Sequence, residues 1–315
     1  MNTGLRFAAI DIGSNAIRLL FARIIENGNN KPYLIKESLI RMPLRLGQDV
    51  FIDGEISAIN SEKFLKTMKG FKDLIDAYEP ISYKACATAA MRNAKNGQDL
   101  VAAVKLKANI KIEIIDGSKE AALILSKNIN QYLKASTNYI HIDVGGGSTE
   151  LSIINKNKAK ISRSFPIGSV RLLQGEVNDA SWQQMRDWIK DNIKNINVNK
   201  AIGSGGNINK IASMLGKKKG KHVEYDQIKE IIKKIKIKNY DQRITQLGLR
   251  PDRADVIDYA SKIYLRCMKW ASVRKILVPQ SGLADGIIEE LYDRSEEHTS
   301  EFQSPCNLVC RLLLE

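Results

Sequence analysis

The sequence is poor in cysteine, with four residues in 315, which argues against a small disulfide-stabilised or zinc-bound protein. The spacings of Cys86, Cys267, Cys306 and Cys310 match no zinc-binding pattern, and a chain of this length does not need disulfide bonds to fold. We therefore interpret Cys86 and Cys267 as small buried apolar residues. Hydrophobic residues make up 43% of the chain, which is enough for a substantial core and excludes a disordered composition.

A long uncharged apolar run is also absent. The best stretch, residues 7–25, is interrupted by Asp11, Arg18 and Arg23, which argues against a membrane span. The first six residues lack the basic and apolar regions of a signal peptide. The sequence therefore predicts a soluble cytoplasmic protein with no membrane partner.

Acidic residues are outnumbered by basic ones, 35 to 49, so the net charge is +14. A surplus of this size favours polyanionic partners, either nucleic acid or polyphosphate. A compositional bias is the alternative, because Lys recurs with Ile and Asn in segments such as 192–200 and 229–238. The chain carries no dedicated nucleic-acid-binding motif.

The character of the sequence changes at about residue 295. The segment 295–315 loses the Ile, Lys and Asn of the preceding chain and resembles translated read-through from a sequencing adapter. We interpret it as a non-native tail and leave it out of the fold prediction.

A pattern of apolar strand, Asp and glycine-containing turn occurs twice, at Asp11 and again 132 residues later at Asp143. After each copy of this pattern, segments with apolar residues at helical spacing alternate with predicted strands. This alternation predicts the α/β class. The repeat predicts two domains related by duplication, over residues 1–117 and 118–294. The last helix, predicted at 283–292, is in a position to pack back on the first domain.

The most informative motif is Asp143-Val-Gly-Gly-Gly-Ser-Thr-Glu150. Three consecutive glycines are unfavourable in a strand, and they let backbone N–H groups approach an anion closely. The carboxylates at the two ends would repel bare phosphate, but Mg²⁺ or another divalent cation can bridge carboxylates to phosphate. Asp143 and Glu150 are therefore the predicted metal ligands. The predicted phosphate-binding residues are Gly145, Gly146, Gly147 and Ser148.

Two weaker loops accompany this motif. Asp11-Ile-Gly-Ser-Asn15 is a common turn sequence by itself, but at the duplicate position it predicts a second wall of a phosphate site. Gly203-Ser-Gly-Gly-Asn207 lies between a strand and a helix, which favours phosphate or nucleotide binding. A tight strand-to-helix turn explains this third loop equally well, and it matches neither a P-loop nor a dinucleotide motif. The candidate phosphate-binding residues in the two loops are Asp11, Gly13, Ser14, Asn15, Gly205 and Gly206.

Three charged residues outside these loops are further candidates. Glu120 falls in the first turn of a helix predicted over residues 118–132, with Ser118 as its N-cap. There it serves either as a general base or only as a favourable charge on the helix dipole. Arg92 and Arg171 are candidate phosphate ligands, although simple surface positions would explain both of them.

Six segments, in the same order, resemble the exopolyphosphatase / guanosine pentaphosphate phosphatase family. They are residues 11–15, 87–92, 117–121, 143–150, 166–171 and 203–206. The resemblance implies the acetate and sugar kinase/Hsp70/actin superfamily fold, with two actin-like (ribonuclease H-like) domains around a central cleft. It also implies Mg²⁺-dependent release of orthophosphate from inorganic polyphosphate or guanosine pentaphosphate. In that case Glu120 is the catalytic base, and Asp143 and Glu150 handle metal and water.

The chain departs from the family pattern at several positions. Ala122 stands where Arg is frequent, Asn207 replaces a common Thr, and Ala284 and Asp285 replace Arg and Glu. These differences concern substrate contacts more than the reaction class. Short polyphosphate chains are the expected substrates, because the helical domains of longer family members are missing from this sequence.

Two other functions stay open at this point. A small-molecule kinase of the same superfamily would need a nucleotide and a phosphoryl acceptor. A non-catalytic sensor would bind guanosine pentaphosphate without releasing phosphate. The oligomeric state also stays open, with a homodimer as one alternative.

Overall fold

The computed structural model describes residues 4–27, 30–125, 127–155 and 158–302. Helices alternate with strands that form two β-sheets. The α/β class predicted from the sequence is therefore confirmed. None of the described helices combines the length and the apolar character needed to cross a membrane.

Five strands form the first sheet. They are β1 (Leu5–Ile12), β2 (Ile17–Asn27), β3 (Asn30–Met42), β4 (Ser82–Ala87) and β5 (Ile112–Ile114). Their order is β3-β2-β1-β4-β5, with β1 to β3 antiparallel and with β4 and β5 parallel to β1. The central strand β1 is almost continuously apolar, as expected for a strand that is buried on both faces of its sheet.

Six strands form the second sheet. They are β6 (Asn138–Val144), β7 (Thr149–Asn155), β8 (Lys158–Phe165), β9 (Val198–Ser204), β10 (Lys221–Glu224) and β11 (Lys275–Val278). Their order is β10-β11-β9-β6-β7-β8. Strands β8-β7-β6-β9-β11 repeat the topology of the first sheet, and β10 is added antiparallel at the edge. The sequence repeat at Asp11 and Asp143 thus corresponds to a repeated arrangement of strands.

The helices cover the faces of both sheets. They are α1 (Leu46–Asp53), α2 (Ala58–Tyr78), α3 (Ala89–Asn93), α4 (Gly97–Ala108), α5 (Gly117–Ile124), α6 (Lys127–Asn130), α7 (Ser169–Leu173), α8 (Asp179–Ile193), α9 (Gly206–Met214), α10 (Tyr225–Lys236), α11 (Tyr240–Thr245), α12 (Pro251–Ala254), α13 (Ile257–Trp270) and α14 (Leu283–Phe302).

Three apolar clusters hold these layers together. One packs α2 and α4 on a face of the first sheet, and another packs α8, α9, α10 and α13 on a face of the second. The third cluster lies between the sheets and contains residues of both, together with α5 and α14. Phe7 of β1 meets Tyr292 of α14 edge-on at 6.3 Å, so the last helix packs against the first sheet. The domain limits 1–117 and 118–294 stay a prediction.

The helix that carries Glu120 differs from its prediction at both ends. Asp116, not Ser118, is the N-cap, because its side chain accepts the N–H of Lys119 at 2.8 Å and satisfies a free donor of the first turn. The helix predicted to reach Tyr132 ends at Ile124, and α6 is a separate short helix.

The segment interpreted as a non-native tail begins inside α14, which continues to Phe302. Residues 303–315, with Cys306 and Cys310, lie outside the described part of the chain. Cys86 and Cys267 are free thiols with no solvent exposure, which agrees with their prediction as buried apolar residues.

Candidate active site

The turns that follow β1 and β6 have the same backbone hydrogen bond. The N–H of Gly13 donates to the carbonyl of Ala16 at 3.2 Å, and the N–H of Gly145 donates to the carbonyl of Ser148 at 3.0 Å. Each turn begins two residues after a strand aspartate. The sequence repeat is therefore also a repeat of turn geometry.

The two turns lie against each other. A Cβ atom placed on Gly146 would be 3.0 Å from the Cβ of Ser14, and one on Gly147 would be 2.9 Å from the Oγ of Ser14. The same atom on Gly147 would also come within 2.3 Å of the Phe51 ring. Side chains at these positions would push the turns apart, which explains why the second turn consists of glycine.

Carbonyl groups of both turns accept hydrogen bonds from backbone amides of neighbouring helices. Gly145 and Gly146 accept hydrogen bonds at 3.0 and 2.8 Å from the first amides of α7, and Ser14 accepts one at 2.8 Å from Gly47 of α1. Within the described part of the chain, the N–H groups of Gly146 and Gly147 make no hydrogen bond. Free backbone donors at the wall of a cleft form a ready site for an anion.

The third glycine loop, at residues 203–207, borders the same cleft as the two turns. Gly205 has a φ of +107°, and a Cβ there would lie 3.4 Å from Oδ1 of Asp143. On Gly206, a Cβ would lie 3.1 Å from Nη2 of Arg253. Tyr264 donates a hydrogen bond from below to the carbonyl of Ser204 and so supports the loop. Glycine is needed at Gly205 because other residues rarely adopt this backbone conformation.

Three carboxyl groups meet at the base of these loops. Glu120 comes from α5, Asp143 from the end of β6 and Glu150 from β7, and each offers an oxygen within 4.8 Å of the others. Their exposures are only 7%, 7% and 0%. Buried acidic groups at this spacing are unstable together unless protons or a cation neutralise them.

Their hydrogen bonds leave one oxygen free on each glutamate. Oε1 of Glu150 accepts from Ser148 Oγ and Ser164 Oγ, both at 2.7 Å, while its Oε2 has no partner in the described structure. Oε2 of Glu120 is also buried without a hydrogen bond and lies 3.9 Å from Nη1 of Arg92. Two orphaned carboxylate oxygens beside a third acid fit the ligand requirements of a divalent cation such as Mg²⁺.

The environment shifts the pKa of all three acids upward. Burial, followed by the charges of Glu150 and Asp11, raises the pKa of Asp143 to about 8. Burial and the nearby Glu150 and Asp143 raise the pKa of Glu120 well above its ordinary value. Burial also raises the pKa of Glu150, although Ser164 and Ser148 oppose the shift by donating hydrogen bonds. Strongly shifted acids in a cleft are typical of functional sites.

A cleft of about 740 Å³ opens above the acidic cluster. Glu150 lies behind the lining, where it contacts the other two acids. Most of the site residues predicted from the sequence line this cleft: Asp11, Gly13, Ser14, Asn15, Glu120, Asp143, Gly145, Gly146, Gly147, Ser148, Gly205 and Gly206.

The two predicted arginines lie outside the lining. Nη1 of Arg92 donates to the carbonyl of Ile115 at 2.5 Å and faces Glu120, so this residue sits beside the acidic cluster. Nε of Arg171 donates to the carbonyl of Gly147 at 3.1 Å, and its guanidinium stacks on Phe51 at 4.0 Å. Arg171 thus supports the triglycine turn from behind.

Sequence reasoning missed the basic residues of the cleft. They are Arg18, Lys36, Arg41, Lys210, Lys217, Arg250 and Arg253. Arg18 Nη1 donates to Oδ2 of Asp11 at 2.5 Å. The register of the hairpin would have found it, because Asp11 and Arg18 are opposite partners in β1 and β2. Burial and the neighbouring Arg41 lower the pKa of Arg253 to about 10, and no local pattern marks that residue.

One departure from the family pattern also lies in the cleft. Asp285, at the start of α14, is buried and pairs with Nζ of Lys36 from β3 at 2.5 Å. The pair joins the first sheet to the last helix at the side of the cleft. Its carboxylate is thus neutralised where an anionic ligand would pass.

The fold and the site together define a class of protein: a two-sheet α/β protein with a glycine-walled cleft above a buried acidic cluster. The family model of the Ppx/GppA phosphatase family matches residues 24–295. The chain therefore belongs to the Ppx/GppA phosphatase family, and the resemblance seen in the sequence is confirmed.

Individual relatives agree with this assignment. The chain is 28% identical over 309 residues to a bifunctional 3-dehydroquinate synthase/phosphatase of Fusobacterium nucleatum, matching 90% of this chain and 46% of that protein. It thus spans about half the length of that relative. It is 22% identical over 320 residues to exopolyphosphatase 1 of Mycobacterium tuberculosis, covering 95% and 92% of the two chains.

A solved structure extends the similarity to the fold. The crystal structure of an exopolyphosphatase from Cytophaga hutchinsonii superposes with a TM-score of 0.78 at 25% identity and covers 91% of this chain and 98% of its own. The expected architecture, two actin-like α/β units around a central cleft, is confirmed.

Proposed function

We propose that this protein is an exopolyphosphatase-type phosphohydrolase, which releases terminal orthophosphate from inorganic polyphosphate, mainly short chains, or from guanosine pentaphosphate. One observation carries the proposal: three buried acids lie at the base of a cleft whose walls are two matching glycine turns with free N–H groups. The family membership and the similarity to exopolyphosphatases support the same reaction class.

The proposal includes a divalent cation, most simply Mg²⁺. Asp143 and Glu150 would hold it, with Glu120 next to them, because two orphaned glutamate oxygens and the raised pKa of Asp143 favour a cation at this point. When bound, such an ion neutralises charge on the transferred phosphoryl group. The protein is further proposed to act in the cytoplasm, with domains 1–117 and 118–294 on the two sides of the cleft.

The protein's own groups account for the remaining steps. The N–H groups of Gly146 and Gly147 hydrogen-bond to oxygens of the terminal phosphoryl group and hold it in line for attack. Arg18 and Arg253 compensate the charge of the following phosphate. Arg92 orients Glu120, whose carboxylate accepts a proton from the attacking water. A new P–O bond to that water forms, the terminal anhydride bond breaks, and the shortened chain leaves.

A substitution of Glu120 tests the assignment. Glu120→Gln keeps the size of the side chain but cannot accept the proton, so orthophosphate release is expected to fall by about 10²–10⁴-fold while substrate still binds. Release should be measured in parallel with tripolyphosphate, long polyphosphate and guanosine pentaphosphate, with and without Mg²⁺. Glu62→Gln, on an exposed face of α2, is the matched control and should retain full activity.

Equal phosphate release by Glu120→Gln and the wild type would refute the role of Glu120. ATP consumption that starts only when a phosphoryl acceptor is added would instead support a kinase. Tight guanosine pentaphosphate binding with no release from any substrate would support a sensor.

A further inference from the structure

A second groove lies between α10 and α13, on the face of the second sheet opposite to α14. Its volume is about 190 Å³. Its charged lining is almost entirely basic: Lys236 from α10, and Lys262, Arg266 and Lys269 from α13. The catalytic proposal uses none of these residues.

The positive charge of the groove is compensated only in part. Its one acidic lining residue, Asp258, already faces Nη1 of Arg243 at 3.7 Å. Within the described ranges, no ion pair involves Lys236, Lys262 or Lys269. Burial and the adjacent Arg266 and Lys236 lower the pKa of Lys262, and Asp179 opposes the shift only in part.

The ordinary stabilisation of helix ends explains only part of this cluster. Lys236 and Lys269 lie in the last turns of their helices, where a cation favourably meets the helix dipole. Lys262 and Arg266 lie in the middle of α13, where the dipole offers no such gain. Arg266 is fixed over the Trp182 ring at 4.1 Å, so its charge is held at the groove.

The groove suits phosphate groups better than nucleobases. Its volume is below the roughly 300–1,000 Å³ of pockets that enclose drug-sized ligands. Its one aromatic side chain, Tyr225, is already covered by Lys229 and Arg274, at 6.0 and 5.3 Å from the ring centre. A nucleobase would have to compete with these two cations for the ring, and single-stranded nucleic-acid binding usually depends on base stacking.

The groove also extends away from the cleft. From Lys262 to Lys269, α13 carries basic lining residues over about 10 Å, at 1.5 Å per residue. The chain just before α13 contributes Arg250 and Arg253 to the cleft. A basic surface of this length, on the helix that follows these cleft residues in the chain, fits several phosphate groups of a polyanion.

We propose that the groove between α10 and α13 is a second, non-catalytic binding site for long-chain inorganic polyphosphate. The inference rests on the proposed function, because it takes the substrate to be polyphosphate. By holding part of a long chain, the groove raises the local concentration of its ends near the cleft. It therefore strengthens the binding of long chains and leaves unchanged the chemical step, which is proposed above to act mainly on short chains.

Charge reversal in the groove tests this site. The double variant Lys236→Glu/Lys262→Glu should bind long-chain polyphosphate at least about tenfold more weakly, and the slope of log affinity against log salt should fall by about 2 for two lost phosphate contacts. Binding is measured by calorimetry with a chelator present, so that it does not depend on catalysis. Tripolyphosphate hydrolysis should stay at the wild-type rate. The matched control is Lys69→Glu/Lys107→Glu, which changes the net charge equally on exposed positions of α2 and α4.

The outcomes separate this site from the catalytic proposal. Long-chain affinity and salt slope equal to those of the control variant would overturn the groove as a binding site, even if hydrolysis is normal. Single-stranded RNA that binds as tightly as polyphosphate, and is lost with the same substitutions, would overturn the choice of ligand. A wild type that binds long chains through the groove but hydrolyses no substrate would support the groove and contradict the proposed activity.

Discussion

At the scale of single residues, the acidic cluster is under electrostatic strain that its hydrogen bonds relieve only in part. Burial raises the pKa of Asp143, Glu120 and Glu150 together. Ser164 and Ser148 counteract this at Glu150 by donating to the same oxygen, Oε1. The ionised form of Glu150 therefore depends on two serines, and one of them, Ser164, comes from the neighbouring strand β8.

Removal of one serine should weaken metal binding. In Ser164→Ala, Glu150 loses a hydrogen bond to its ionised form, so its pKa rises further and it becomes a poorer ligand. Loss of such a supporting contact typically lowers metal affinity or activity by about 10–100-fold. We expect a decrease in that range in Mg²⁺ affinity, measured from the Mg²⁺ dependence of orthophosphate release.

Ser162→Ala is the natural control. Ser162 lies two residues earlier on the same face of β8, and its hydroxyl bonds to Ser152 and not to an acid. An unchanged Mg²⁺ dependence in Ser164→Ala, or an equal loss in both variants, would contradict a specific role for Ser164.

Single residues also show which parts of the candidate site can be predicted from the sequence alone. Asp11 and Asp143 were identifiable because each ends a strand before a glycine turn, a pattern that is local in the chain. Arg18 was recoverable from the hairpin register, but Arg253 was not. It comes from a segment 242 positions beyond Asp11 that reaches the cleft only through tertiary packing.

At the scale of elements, α5 positions Glu120 through one close approach. Gly117 starts this helix, and a Cβ there would lie 2.3 Å from the Cβ of Ser164 and 3.6 Å from Oε1 of Glu150. Contact this close between backbone and β8 is available only to glycine. It brings the first turn of α5, with Glu120, against Glu150.

Alanine at this position should therefore move the catalytic helix. Because the clash involves the Cβ of Ser164 and not a flexible side-chain end, α5 or β8 must shift in Gly117→Ala. A displacement of about 1 Å can reduce activity by about 100-fold. We expect a loss of kcat of that order with a far smaller change in the affinity for tripolyphosphate, measured by steady-state kinetics.

Gly70→Ala is the control for the effect of glycine replacement alone. Gly70 lies inside α2, and a Cβ there meets nothing within 4 Å. Alanine should stabilise that helix by about 0.5–1 kcal/mol and leave activity unchanged. Wild-type kcat in Gly117→Ala would show that the contact with Ser164 does not position Glu120.

The elements differ in how clearly local sequence signals mark them. Helix α2 has regular apolar spacing, an N-cap at Ser57 and a proline beyond its end, which are all local signals. Helix α1 is short and begins after Arg45 in a left-handed conformation, without a side-chain cap. Its position depends on backbone bonds to the first turn, such as Gly47 N–H to Ser14, and no sequence pattern records these contacts.

At the scale of the whole molecule, the duplication explains why two strand-end aspartates meet in the cleft. Each half contributes an aspartate at the end of its first strand, so Asp11 and Asp143 both line the cleft, and the charge of Asp11 helps to raise the pKa of Asp143. Arg18 compensates Asp11 at 2.5 Å, whereas no ion pair at Asp143 is present in the described structure. The second half therefore keeps an uncompensated acid where a cation fits.

This asymmetry predicts how pH and Mg²⁺ act on stability. In the metal-free protein, Asp143 has a pKa of about 8, raised above the ordinary 3.8, so the folded state binds more protons than the unfolded state between these values. The free energy of unfolding should then decrease as pH rises towards 8, by about 1.4 kcal/mol per pH unit for one proton. Mg²⁺ binds the deprotonated cluster and reverses that loss, so its stabilising effect should be larger at pH 8 than at pH 6.

Thermal unfolding with chelator and with Mg²⁺, at matched ionic strength, checks this linkage. The rise in Tm caused by Mg²⁺ should grow between pH 6 and pH 8 in the wild type and largely vanish in Asp143→Asn, which cannot ionise at that position. Asp11→Asn tests the effect of one aspartate on the other. It removes a negative charge near Asp143, so the pKa of Asp143 should fall. The pH at which Mg²⁺ begins to stabilise the protein should therefore also fall. An Mg²⁺ effect of equal size at both pH values, or one retained in Asp143→Asn, would mean that the cation binds elsewhere.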